Sequence, residues 1–173
     1  MIDDINYEYR TGIGTDIHRF VEGRPLKLGG ILIPYEKGLL AHSDGDVALH
    51  AMIDAILGAT GLGDIGMIFP DTDPQFAGID SKEFVLKVKE YITHKNWEIV
   101  NVDITITLEE PKLGQYKAQM KRCIASLLGI DFLNVNVKAK TNEGLGEIGQ
   151  GLAKSAIAAV LIRRRLKDLE KII

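Results

Sequence analysis

From Val100 to Leu108 apolar residues take every second position, with Asn101, Asp103, Thr105 and Thr107 between them. That is the period of a half-buried β-strand, and its second face is small and polar, suited to solvent or a subunit contact. Residues 7–20 mix β-branched and aromatic side chains and predict one strand or two. Residues 26–35, with Gly29-Gly30 inside them, predict a short hairpin or bulged strand. Alternation gives way to helical spacing over 44–59, where Val47, Ala48, Met52, Ile53, Ile56 and Leu57 form a stripe that Gly58 and Gly61 end. Asp80-Ser81-Lys82-Glu83 is a helix start, with Phe84, Val88, Tyr91 and Ile92 on one face. A helix over 115–128 with Gly129 as its stop, a strand over 133–141, a glycine loop and a last helix from about Leu152 complete the prediction. Residues 61–79 carry no period, and a loop that long in a compact domain is usually functional or mobile. The order predicts an α+β fold, a mixed β-sheet with three helices packed on one face.

The length of 173 residues suits one domain able to bury a core, expected over 10–173 behind a polar N-terminal leader, 1–9. Lys and Arg number 21 against 24 Asp and Glu, a formal charge of −3, which argues against a nucleic-acid partner held by phosphate contacts. Arg163-Arg164-Arg165 falls in the expected last helix and reads as a solvated face. A single cysteine, Cys123, excludes an internal disulfide framework and points to reduced cytosol. No apolar run approaches the roughly 18 residues of a membrane span. The opening residues MIDDINYEYR lack the basic and apolar regions of a signal peptide. The expected location is therefore cytoplasmic, with no membrane partner.

Three of the four histidines lie between positions 18 and 50, among aspartates. Asp16 and His18 are two apart, so on a strand they share a face and can address one ion; equally, they can be an ordinary polar pair on a half-exposed strand. His50 stands inside the apolar helix, where a neutral core histidine is the default. Asp46 and Asp54 at i−4 and i+4 change that weighing, because a carboxylate on one ring nitrogen fixes the tautomer and frees the other nitrogen. Asp16, His18 and His50 together make one carboxylate and two imidazoles with a fourth position open, the arrangement of catalytic zinc. In His42-Ser43-Asp44-Gly45-Asp46, Ser43 or Asp44 can cap the helix, and its first N–H groups with His42 can receive an anion.

Gly144 to Gly149 matches GxGxxG, but no strand with an acidic residue follows at the required distance, so the dinucleotide reading is rejected. A glycine-rich loop beside Lys138, Lys140, Thr141 and Glu143 still suits phosphates and a hard cation, and Lys112 offers a second positive point. Cys123 and Trp97 read as packing, and His94 as a surface residue.

Gly14-Thr-Asp16-Ile-His18-Arg-Phe20, the run from Lys37 through His42-Ser-Asp-Gly-Asp to His50, Leu62-Gly-Asp64-Ile-Gly66 and Phe69-Pro-Asp71-Thr-Asp73-Pro together resemble the 2-C-methyl-D-erythritol 2,4-cyclodiphosphate synthase family. Glu110-Pro-Lys112-Leu113 and Val137-Lys-Ala-Lys-Thr141-Asn-Glu143 continue the likeness. The resemblance implies a homotrimer, its sheets facing the three-fold axis and its active sites between subunits. It implies cyclisation of 4-diphosphocytidyl-2-C-methyl-D-erythritol 2-phosphate to the 2,4-cyclodiphosphate with release of CMP, in the non-mevalonate isoprenoid pathway.

Carried over residue by residue, Asp16, His18 and His50 match zinc (Zn2+) ligands, and His42 and Thr141 match transition-state stabilisers. Asp16, Ile17, His18, His42 and Ser43 match substrate-binding residues, His42 beside the phosphates. Asp64, Ile65 and Gly66, with Phe69, Pro70, Asp71, Thr72 and Asp73, match the loop around ribose and erythritol. Leu108, Lys112, Leu113 and Gly114, with Ala139, Lys140, Thr141, Asn142 and Glu143, match the cytidine and diphosphate side. Glu143 there approaches a second cation, Mg2+ or Mn2+. In this reaction the nucleophile is the substrate's own phosphate, consistent with the absence of an obvious protein nucleophile. The chain departs from the family in its last loop, where Gly149-Gln150-Gly151 is short and lacks an arginine. Two other readings use the same residues: a zinc-dependent phosphohydrolase that activates water, and a non-catalytic nucleotide-binding trimer.

Overall fold

The computed structural model describes residues 6–166. Strand β1 (Tyr7–Glu22) opens it and begins inside the stretch expected as a leader; the rest of that expectation, residues 1–5, lies outside the described residues. A hairpin of β2 (Leu26–Leu28) and β3 (Ile31–Ile33) follows, then β4 (Lys37–Leu39). Helix α1 (Val47–Thr60), a single-turn α2 (Ile65–Ile68) and α3 (Ser81–Thr93) come next. The second half runs β5 (Glu98–Thr107), α4 (Lys117–Leu128), β6 (Val135–Lys140), a single-turn α5 (Gly146–Gly149) and β7 (Ala153–Arg165).

The main sheet has the order β4-β1-β7-β5-β6, parallel only between β5 and β6, so it is mixed as the pattern predicts. Helix α1 lies against β1 and β7, α4 against β6, and α3 packs on α1 and α4. Local signals set the helix ends. Asp80 caps α3 through Lys82 N–H, while Gly61 and Gly129, both at positive φ, close α1 and α4.

The expected last helix is a strand. β7 occupies the middle of the sheet, paired with β1 from Tyr7↔Arg165 to Arg19↔Ala153 and with β5 on its other side. Ala156, Ala158, Val160 and Ile162 turn toward the helices, with Ile157, Ala159 and Leu161 between them. Both faces are apolar, so period 2 is masked, and the alanines that mimic helix propensity serve a close approach of α1. Arg163 and Arg164 accordingly sit on a strand, paired with Glu98 and Glu8.

Close approach is clearest at Gly12 and Gly14. A Cβ on Gly12 would stand 1.9 Å from the Ala55 carbonyl oxygen, and one on Gly14 2.1 Å from that of Ala51. The two glycines let α1 settle directly on β1, which fixes where His50 meets Asp16 and His18. Among the described residues the sheet face away from the helices is bare, exposing Ile13, Ile17 and Ile157. Lys154 is enclosed in the core with no exposure and, among the described residues, no hydrogen-bond partner, its Nζ 4.7 Å from the centre of the Phe20 ring.

Candidate active site

β1 carries Asp16 and His18 on its helix-facing side, and the first turn of α1 brings His50 over them. His50 Nδ1 lies 3.0 Å from Asp16 Oδ2 and 3.4 Å from His18 Nε2, and His18 Nε2 lies 3.1 Å from the same Asp16 oxygen. One ligand atom from each residue falls within 4.8 Å of the others, a group able to hold a metal ion. The electrostatics follow from that crowding. Burial works against the Asp16 anion, but the two imidazoles outweigh it and hold its carboxyl well below the usual range. Burial likewise opposes a charged His50, and the Asp16 carboxylate overrides it, so the His50 pKa is raised.

The neighbours of His50 differ from those the helical spacing suggests. Asp46, at i−4, turns away and caps α1, accepting from Ala48 and Leu49 N–H and also from Gly29 and Gly30 N–H. Asp54, at i+4, accepts from Ile65 N–H at 2.7 Å and steadies the entry to α2. The second ring nitrogen, Nε2, instead meets Ser81 Oγ at 2.9 Å and Ser43 Oγ at 3.2 Å. Capping by Asp46 corrects one expectation for the preceding turn and narrows the other. Neither Ser43 nor Asp44 is the cap, and the Ala48 and Leu49 N–H groups are already taken, so they are not donors for an anion.

Asp16, His18, His42, Ser43 and His50 line a cavity of about 410 Å³ with Ile65, Gly66, Phe69, Pro70 and Asp71 from the long loop. That loop is partly ordered by its own caps. Asp64 accepts from Met67 N–H, and Asp73 from the Gln75 backbone and side chain. Asp64, Thr72 and Asp73 are thus beside the cavity wall and not in its lining. The floor is aromatic: Phe69 stacks on Phe84 at 4.5 Å between ring centres, and Phe76 meets both edge-on. Ile17, 60% exposed, points to the bare side of the sheet and lines a different cavity of about 690 Å³ with Arg19 and Glu147.

The remaining expected residues assemble elsewhere in the chain. Leu108, Lys112, Leu113, Gly114, Ala139, Lys140 and Thr141 line a cleft of about 150 Å³, with cis Pro111 in its wall. Glu109 braces the adjoining turn by accepting from Asn142 and Gly144 N–H, and Thr141 Oγ1 donates to Glu143 Oε1 at 2.7 Å. Lys138 is not part of this cleft; it pairs with Asp103 at 2.6 Å. The two cavities share no lining residue.

Sequence reasoning passed over Ser81, Asp44 and Lys27 as partners of the site. Asp80-Ser81 reads as a helix start, which it is, and nothing in the spacing shows that Ser81 also reaches His50 across the loop.

The YgbB family model matches residues 9–163. A 2-C-methyl-D-erythritol 2,4-cyclodiphosphate synthase of Caldicellulosiruptor bescii is 51% identical over 154 residues, 89% of this chain and 98% of that protein. A solved synthase described as its CDP-bound form superposes with a TM-score of 0.82 at 40% identity, over 88% of this chain and 99% of the other. The bifunctional IspDF from Campylobacter jejuni superposes with a TM-score of 0.89 at 42% identity, over 92% of this chain but 43% of that longer one. With a glycine-packed α1, three converging ligand atoms and near full-length relatives of one kind, the chain belongs to the YgbB family of 2-C-methyl-D-erythritol 2,4-cyclodiphosphate synthases.

Proposed function

We propose that this protein cyclises 4-diphosphocytidyl-2-C-methyl-D-erythritol 2-phosphate to 2-C-methyl-D-erythritol 2,4-cyclodiphosphate and releases CMP, as a metal-dependent phosphorus–oxygen lyase. The observation that carries the reading is the convergence of Asp16, His18 and His50 at the edge of a cavity sized for a small phosphorylated ligand. One carboxylate and two imidazoles suit Zn2+ as a donor set and leave a position for a substrate oxygen. When bound, the cation supplies charge neutralisation and Lewis acidity at the β-phosphate. Glu143 holds one oxygen against Thr141 and has no hydrogen bond on the other among the described residues, which suits it to the second cation, Mg2+ or Mn2+.

The chain's own residues bind and align. Ile65, Gly66, Phe69, Pro70 and Asp71 shape the wall for the sugar portion, and the stacked phenylalanines keep water from one side of it. His42, exposed at the rim, and Thr141 reach toward the phosphates and stabilise charge during transfer. Lys112 and Lys140 supply positive charge on the nucleotide side. No protein nucleophile is required, because the 2-phosphate attacks the β-phosphorus and CMP leaves. Positioning of three anionic groups is the main task.

The same reading makes the assembly a homotrimer. The metal-side cavity and the 108–114/139–143 cleft share no lining residue within one chain, and the bare sheet face exposes Ile13, Ile17 and Ile157. Stacking that face about a three-fold axis buries the isoleucines and brings one subunit's cleft to its neighbour's metal-side cavity. The test is complementation. His50→Ala and Thr141→Ala proteins, each inactive alone, are unfolded together, refolded as mixed trimers and assayed for CMP release. Partial recovery is expected for sites built between subunits; no recovery, with mixed trimers verified by mass spectrometry, would contradict it.

A further inference from the structure

We infer that Ser81 and Asp44 are positioning residues for the metal centre, holding a proton on His50 Nε2 so that Nδ1 is the nitrogen offered to a cation beside Asp16 and His18. This inference rests on the reading of Asp16, His18 and His50 as ligands. It names the group behind the third of them, which helical spacing assigns wrongly to Asp46 or Asp54.

Proton bookkeeping leads there. Ser81 has no solvent exposure, and its hydroxyl lies 2.5 Å from Asp44 Oδ1 and 2.9 Å from His50 Nε2. A carboxylate only accepts, so the single hydroxyl proton goes to Asp44, and the Ser81 oxygen can then only accept from His50. Nε2 must therefore carry a proton, and Nδ1, 3.0 Å from Asp16 Oδ2, is the nitrogen free to exchange its proton for a cation. Asp44 is itself held in place. Its Oδ2 accepts from Ser81 N–H at 3.1 Å and faces Lys27 Nζ at 3.3 Å, with the same ammonium 2.8 Å from Asp80. The chain of contacts runs Lys27, Asp44, Ser81, His50, joining the hairpin, the turn before α1, the start of α3 and the site. Ser43 is the lesser partner of the imidazole, since its oxygen stands 3.2 Å away and also accepts from Gly45 N–H.

Groups that orient a metal-bound histidine are commonly worth 10–100-fold in metal affinity. Zinc affinity is measured by competition with a chromophoric chelator for wild type, Ser81→Ala, Asp44→Asn and the double variant, each checked for fold by circular dichroism. Each single variant should bind zinc about 10–100-fold more weakly. The double variant should lose little beyond the worse single, because both act through one hydrogen-bond chain. Ser81→Thr, which keeps a hydroxyl, should recover part of the loss, and it stands in if Ser81→Ala is misfolded. Affinities within about twofold of wild type, or losses that simply add, would overturn the proposal.

A second readout separates this failure from that of the metal reading. In chelator-treated Asp16→Ala protein at alkaline pH, where no carboxylate competes for the Nδ1 proton, nitrogen-15 shifts of labelled histidine should show His50 as the Nε2–H tautomer, and a mixture once Asp44→Asn is added. Wild type that takes up no zinc, with this tautomer present in Asp16→Ala, contradicts the metal reading alone. The Nδ1–H tautomer in Asp16→Ala contradicts the positioning role.

Discussion

Lys154 gives the sharpest stability prediction. Among the described residues the ammonium is enclosed by the core with Phe20 as its close ring and no hydrogen-bond partner, and burial pushes its pKa from 10.5 down to about 7 despite the attraction of Asp46. In the unfolded chain the side chain remains protonated to its ordinary value. Between those two limits the unfolded state binds more protons, so stability rises with pH; as pH falls toward about 7 that stability is lost, and below it the full penalty applies. Converting the difference gives a penalty of about 4 kcal/mol at pH 7 and about 2 kcal/mol at pH 9. Lys154→Met keeps the shape, removes the charge and gives up a cation–π contact of about 1–2 kcal/mol. The variant should therefore exceed wild type by about 2–3 kcal/mol at pH 7, with the advantage shrinking steadily toward pH 10. Urea titrations at matched protein concentration across pH 6 to 10 measure this. A variant no more stable than wild type at pH 7, or an advantage that grows with pH, would refute the reasoning.

Gly14→Ala places a methyl 2.1 Å from the Ala51 carbonyl, so α1 must move off β1. A loss of about 3 kcal/mol or more is expected in thermal unfolding, together with weaker zinc uptake because His50 travels with the helix. His50→Ala should keep its far-ultraviolet dichroism, since the apolar body of α1 survives, yet lose zinc affinity by more than about 100-fold and CMP release with it. Zinc content by elemental analysis checks the first effect. Lys112→Ala, its side chain 70% exposed at the small cleft, should weaken CMP binding by about tenfold in calorimetry and leave zinc content unchanged.

β5 was legible because it alternates over one buried face, β1 because β-branched and aromatic residues crowd it, and α3 and α4 because one has a capped start and the other a glycine stop. β7 was not, because α1 calls for small residues on one face while the bare face is apolar as well, and an alanine-rich run without alternation looks helical. At the site, Asp16 and His18 were found from two-residue spacing and His50 from its company of aspartates. The reasoning at His50 anticipated its cluster with Asp16 and His18 and mistook its support. Helical neighbours at i±4 share a face, but Asp46 had a stronger demand from four backbone N–H groups at the helix start and the hairpin. The actual support arrives from Ser81, 31 positions away, a long-range contact that no local period encodes. The long-loop aspartates divide for a similar reason: Asp71 lines the cavity, while Asp64 and Asp73 spend their carboxylates on capping.

The central claim is the intramolecular attack of the substrate's 2-phosphate with CMP as leaving group. Phosphorus-31 NMR of the zinc- and magnesium-loaded protein with 4-diphosphocytidyl-2-C-methyl-D-erythritol 2-phosphate follows every phosphorus in one tube. The account predicts paired cyclic diphosphate signals growing in step with CMP and no orthophosphate. Orthophosphate in place of the cyclic product would identify a hydrolase, and CMP binding without turnover by fully metal-loaded protein would identify a binding module; either result contradicts the account.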